Sequence, residues 1–128
     1  MIIGVGTDLV EIARIAKSIA RLGERFVDRI LSVDEKKCWE AITSEDKAIA
    51  YVAKRFAAKE AAVKALGTGI GSGVSFQHFS VMNLPTGQPF LVVDDTISSR
   101  YDFPISWHVS LTDEKAYAQA FVVLESKG

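Results

Sequence analysis

Asp8, Glu60 and Lys64 are the residues of this chain whose types and spacing best suit chemistry. Asp8 closes an apolar, glycine-bearing N-terminal stretch. Glu60 and Lys64 stand four residues apart in Arg55-Phe56-Ala57-Ala58-Lys59-Glu60-Ala61-Ala62-Val63-Lys64-Ala65-Leu66. Carboxylates arriving from a strand and a helix suit Mg2+, which takes one or two of them and completes its shell with waters and substrate phosphates. The plainer alternative is a helical ion pair between Glu60 and Lys64. Acid before base at i,i+4 is the better order, and such a pair contributes roughly a few tenths of a kcal/mol. The residues alone leave both readings open.

Three other groupings deserve the same weighing. Arg14, Lys17, Arg21, Arg25 and Arg29 face only Glu24 and Asp28 between Ile12 and Ile30, a local charge of +3 in a chain of −1. A solvated helix face explains this stripe; so does a docking surface for an acidic partner, since such fields steer association. No aromatics interleave with these bases as a nucleic-acid stacking platform needs. The loop Gly67-Thr68-Gly69-Ile70-Gly71-Ser72-Gly73 follows a helix, so it is no Walker loop. Its backbone can form an anion nest, or it is simply flexible. His108 lies in Trp107-His108-Val109-Ser110-Leu111, where a hydrogen-bonded structural histidine is the default. No aspartate stands in a triad relation to it, which excludes Ser-His nucleophilic catalysis.

The elements that must position these groups are legible in the pattern. Ile2 to Leu9 reads as a buried strand, with Ile3, Val5, Thr7 and Leu9 on one face and Ile2, Gly4, Gly6 and Asp8 on the other. Two glycines beside a carboxylate mark a close approach, by another backbone or by a ligand. Glu11 to Leu22 forms an amphipathic helix with Ile12, Ile15, Ile19 and Leu22 inward, ended by Gly23. Phe26 to Leu31 starts a second helical stretch. Ser32 and Glu35 have capping-box spacing for a third, reaching about Ile42, and Ser44 caps a fourth that runs to Leu66 with Gly67 beyond it. Val74–Met82 alternates like a strand and turns through Leu84–Pro89 into Phe90–Val93. Ile105–Leu111 and Ala116–Glu125 read as a terminal hairpin. One strand, then helices, then antiparallel strands is an α+β order: an antiparallel sheet packed against helices.

Composition fits one domain over residues 1–128 with a modest core: 48% hydrophobic, 24% charged. No run approaches the length of a membrane span, and no secretory leader is visible. The single cysteine, Cys38, suits a reducing, cytoplasmic compartment and reads as a buried or half-buried structural thiol.

Taken in order, five segments resemble the holo-[acyl-carrier-protein] synthase family, the small class of 4′-phosphopantetheinyl transferases. They are Gly6-Thr7-Asp8-Leu9-Val10-Glu11-Ile12, the Arg55–Gly71 stretch, Val74-Ser75-Phe76, Gly87-Gln88-Pro89 and His108-Val109-Ser110-Leu111-Thr112. The resemblance implies the 4′-phosphopantetheinyl transferase fold. It also implies transfer of phosphopantetheine from coenzyme A to a serine of apo-acyl carrier protein, in support of fatty-acid biosynthesis, with release of adenosine 3′,5′-bisphosphate. By the same resemblance Asp8 and Glu60 match Mg2+ ligands, and Lys64 matches a diphosphate contact that can protonate the leaving group. Arg55, Lys59, His108 and the loop with Gly67, Gly69 and Gly71 match positions near the coenzyme. The general base stays open between Glu60 and a metal-bound water. Larger relatives contain two similar halves with the site between them, whereas this chain supplies one, so the resemblance implies a homotrimer with sites at subunit boundaries. An acidic carrier protein gives the basic stripe its partner, with Arg14, Arg21 and Arg25 as docking residues and Phe26 as an apolar anchor. Neither nucleic acid nor membrane is expected to bind. The competing reading is a non-catalytic module whose basic helix binds an acidic protein or nucleic acid.

Overall fold

The computed structural model describes residues 1–128. It opens on strand β1 (Ile2–Glu11), followed by helices α1 (Ile12–Leu22), α2 (Glu24–Ile30), α3 (Val33–Glu40) and the long α4 (Glu45–Leu66). A 3-10 turn (Phe76–His78) leads into hairpin β2 (Phe79–Asn83) and β3 (Pro89–Val93). The short α5 (Asp95–Ser98) then precedes hairpin β4 (Ile105–Asp113) and β5 (Tyr117–Ser126). Strands β1, β5 and β4 form one antiparallel sheet in that order, while β2 and β3 pair separately. The α+β order expected from the sequence is the observed one. No helix is long and apolar enough to cross a membrane.

Local chemistry sets the helix boundaries. Ser32 and Glu35 form the reciprocal capping box, each side chain accepting from the other's backbone N–H. The Ser44 hydroxyl accepts from Lys47 N–H, and Gly67 ends α4 in the left-handed conformation with φ of 82°. Gly23 follows α1 as its spacing suggests.

The interior of the molecule is the surface between α4 and the three-stranded sheet. Ala57, Ala58, Ala61, Ala62 and Ala65 of α4 are buried, as are Ala118, Ala120, Val122 and Leu124 of β5. Alanine on both sides lets the elements lie close. At β1 even alanine is too large: a Cβ on Gly4 would stand 1.9 Å from the Ala65 carbonyl oxygen, and one on Gly6 1.8 Å from that of Ala61. The close approach is therefore backbone to backbone.

Three expectations need correction, and one element was not expected. β1 is buried on one face only: Ile3, Val5 and Leu9 point outward and are exposed, beside Tyr117 and Phe121 of β5. The alternation across Val74–Met82 is a strand only from Phe79 onward, because Ser75 caps a 3-10 turn first, accepting from Gln77 N–H while His78 Nδ1 accepts from Ser75 N–H. The short helix α5 has no counterpart in the pattern reading. Cys38 is exposed.

Gly6→Ala tests the backbone contact. The added methyl meets a carbonyl that cannot swing aside, so α4 must lift from β1. The expected loss in chemical denaturation is about 2 kcal/mol or more.

Candidate active site

Asp8 alternates with Gly4, Gly6 and Val10 on the inner face of β1. Since Gly6 abuts Ala61, the residue just after Glu60, the helix backbone brings Glu60 level with Asp8. The two carboxylates line one cleft of about 340 Å³, shared with Leu9, Val10, Arg14, Ile15, Ser18, Phe26 and Phe56. Arg14 and Ser18 also line an adjoining polar groove with Lys17 and Arg21. The carboxylate cleft thus opens onto a basic helix face.

The electrostatics of the cleft are unbalanced. Lys64 donates to the Thr7 carbonyl at 2.9 Å and to Asp8 Oδ1 at 3.1 Å. The i,i+4 pair with Glu60 is not the one that forms. Burial pushes the Glu60 carboxyl above its ordinary value, the Asp8 charge adds to that push, and Lys64 opposes it. A half-buried carboxylate repelled by its neighbour is a receptor for positive charge. No third His, Cys, Asp or Glu joins the two, a donor set that suits Mg2+ completing its shell with water and phosphate oxygens better than a closed protein cage. The residues present therefore fit the metal.

Other proposed site residues fall elsewhere. Lys59, expected at the coenzyme, is fully buried, and its ammonium donates to Glu35 Oε1 and to the Ile30 carbonyl, each at 2.6 Å. Its pKa is lowered by burial against the opposing pull of Glu35. Arg55, also buried, donates to Asn83 Oδ1 at 2.8 Å, and its guanidinium lies 3.9 Å from the Tyr51 ring centroid. Neither side chain reaches the cleft. Both belong to the packing of α4 against α3 and β2, because a charge on that side of the helix is enclosed and must be paired there. His108 is exposed on the outer face of β4, with Nε2 2.6 Å from Glu125 Oε1. Asp8 lies on the opposite face of that sheet, so one chain does not bring the two together. Gly67, Gly69 and Gly71 lie beyond the end of α4, outside the cleft lining.

Among the docking residues, Arg14 and Phe26 line the cleft and Arg21 the adjoining groove; Arg25 is exposed on α2 outside both. Ser18 escaped the sequence reading, although its i+4 spacing from Arg14 placed it on the same helical face.

The fold and the cleft define a small α+β protein with two carboxylates in a cleft at the foot of a basic helix. The family model described as the 4′-phosphopantetheinyl transferase superfamily matches residues 4–122. A Marinomonas protein named holo-[acyl-carrier-protein] synthase is 76% identical over 127 residues, covering 99% of this chain and 100% of that one. A Bacillus anthracis holo-(acyl-carrier-protein) synthase, crystallised in complex with CoA (3′,5′-ADP), is 38% identical with a TM-score of 0.85, and the match covers 99% of each chain. The Neisseria meningitidis synthase is 35% identical with a TM-score of 0.89, covering 98% of this chain and 100% of that one. The chain belongs to the 4′-phosphopantetheinyl transferase superfamily, and within it to the holo-[acyl-carrier-protein] synthase family.

The raised Glu60 pKa carries a sign. The protonated carboxyl favours folding; its stabilising effect is complete below the ordinary glutamate range and is lost as pH rises through the raised folded value. With chelator present, Glu60→Gln should match the wild-type melting temperature near about pH 4 and exceed it by a few degrees at about pH 7.5. Added Mg2+ should then raise the wild-type melt and leave the variant unmoved.

Proposed function

We propose that the protein transfers the 4′-phosphopantetheine group of coenzyme A to a serine hydroxyl of apo-acyl carrier protein, with release of adenosine 3′,5′-bisphosphate. The observation that carries this reading is the convergence of Asp8 and Glu60 in a cleft continuous with the Arg14–Arg21 face. Such a site accepts a cation and a diphosphate at its floor and an acidic protein at its rim.

In this reading Asp8 and Glu60 hold Mg2+, which when bound neutralises charge on the diphosphate during phosphoryl transfer. Lys64, beside Asp8, meets the same diphosphate and is placed to give a proton to the departing phosphate oxygen. Arg14 and Arg21 draw the carrier in by long-range attraction, and Phe26 and Phe56 give its apolar surface a wall. Glu60 and Lys64 both have to remain free of each other for this division of labour. In the fold Lys64 is paired with Asp8 rather than with Glu60, which supports that.

The assembly is proposed as a homotrimer. Its support is the uncovered outer face of the three-stranded sheet, where Val5, Leu9 and Phe121 are 52%, 61% and 42% exposed. His108 lies on that same face, so a neighbouring copy seated there would meet it, and the Gly67–Gly71 loop with it completes the coenzyme surroundings. Service to fatty-acid biosynthesis in the cytoplasm belongs to the same proposal.

Mass spectrometry of an apo-acyl carrier protein incubated with this protein, coenzyme A and Mg2+ tests the activity. The carrier should gain one phosphopantetheine, and chelator should abolish the gain. Asp8→Asn should lower kcat at least about a hundredfold while leaving the melting transition cooperative. Full activity in that variant would remove the metal pair from the mechanism.

A further inference from the structure

The carbonyl end of α2 is closed by side chains from distant parts of the chain. The last four carbonyls of any helix lack intrahelical donors. Here the Val27 carbonyl accepts from Leu31 N–H at 2.8 Å. Gln77 Nε2 donates to the carbonyls of Asp28 and Leu31, each at 2.8 Å, and lies 3.4 Å from that of Arg29. Lys59 takes the Ile30 carbonyl. Every orphan acceptor at this end is met, and Lys59 places a positive charge where the helix dipole favours one.

A seven-residue helix has too few internal bonds to hold itself, so its position is set by such ties. Its first turns carry Phe26 into the cleft wall shared with Phe56 and Glu60. The turn that carries Gln77 is anchored to the same wall: Phe76 packs on Phe56 with ring centroids 5.6 Å apart. The backbone N–H of Gln77 is itself held by the Ser75 hydroxyl at 3.3 Å. The Gln77 side chain therefore joins α2 to the turn whose Phe76 packs on Phe56, a residue of the same cleft lining as Phe26.

We propose that Gln77 is a positioning residue for carrier recognition: by clamping the carbonyl end of α2 it fixes Phe26 in the wall of the cleft. The clamp touches neither the carboxylates nor Lys64, so its effect falls on the carrier side of the site. The proposal rests on the transferase reading above. Gln77 is exposed, so replacing it opens no core.

The test is steady-state kinetics of full-length Gln77→Leu, varying apo-acyl carrier protein and coenzyme A separately. The KM for carrier should rise on the order of tenfold, while kcat and the KM for coenzyme A stay within about twofold of wild type. Gln77→Lys, which keeps a donor over the carbonyls, should recover most of the loss. In a Phe26→Ala background Gln77→Leu should add little, because both act on one contact. An unchanged carrier KM, an equal rise for coenzyme A, or full additivity with Phe26→Ala would overturn the proposal. Amide exchange separates this from a failure of the transferase reading. Residues 24–31 should exchange faster in Gln77→Leu whether or not the wild type loads a carrier, and unchanged exchange would rule out the clamp itself.

Discussion

The approach of two backbones without side chains between them is the constraint on which the site depends. Gly4 and Gly6 leave β1 bare, and the carbonyls of Ala61 and Ala65 occupy the space that Cβ atoms would fill. That distance places Asp8 and Glu60 in the lining of one cleft rather than on opposite sides of a packed layer. It also sets Lys64 against the Thr7 carbonyl and Asp8. Alanines along the remaining contact surface of α4 keep the helix low on β5 as well. Packing and chemistry share one cause here.

Adjacent residues of α4 show how orientation decides what a charge does. Lys59 points inward and is enclosed with Glu35, whose other oxygen accepts from Val81 N–H at 2.7 Å. All the partners of that pair are supplied by the fold, as a buried pair requires. Glu60, the next residue, points into the cleft beside a like charge and has its carboxyl pushed toward protonation. The first pair stabilises α4 against α2, α3 and β2. Asp8 and Glu60 repel one another in that cleft, with Lys64 on Asp8 as the nearby cation; a carboxylate perturbed in this way inside a cleft is what the proposed metal site calls for.

Much of the fold was legible because its signals are local. The Ser32–Glu35 box, Ser44, Gly23 and Gly67 mark helix ends through hydrogen bonds and backbone angles that short sequences dictate. The Asp8–Glu60 convergence was legible as a possibility, since the glycines announced a close approach without naming its partner. What was missed depends on tertiary direction. Lys59 and Arg55 sit in a motif that resemblance places near a coenzyme, yet helical roll turns both into the core. The strand reading of Val74–Met82 failed because Ser75 and His78 satisfy one another's backbone and make a turn where alternation alone suggested a ladder. The outward face of β1 looked like core because Ile3, Val5 and Leu9 are apolar, and only the sheet order reveals that nothing in the chain covers it.

The proposed cation site at Asp8 and Glu60 depends on the glycine-permitted contact of β1 with α4. Crystals grown with coenzyme A and Mn2+, measured for anomalous scattering, address it most directly. A single strong peak within coordination distance of both carboxylates and of phosphate oxygens is expected. A peak bound by only one of them, or a cleft with coenzyme but no cation, would contradict it.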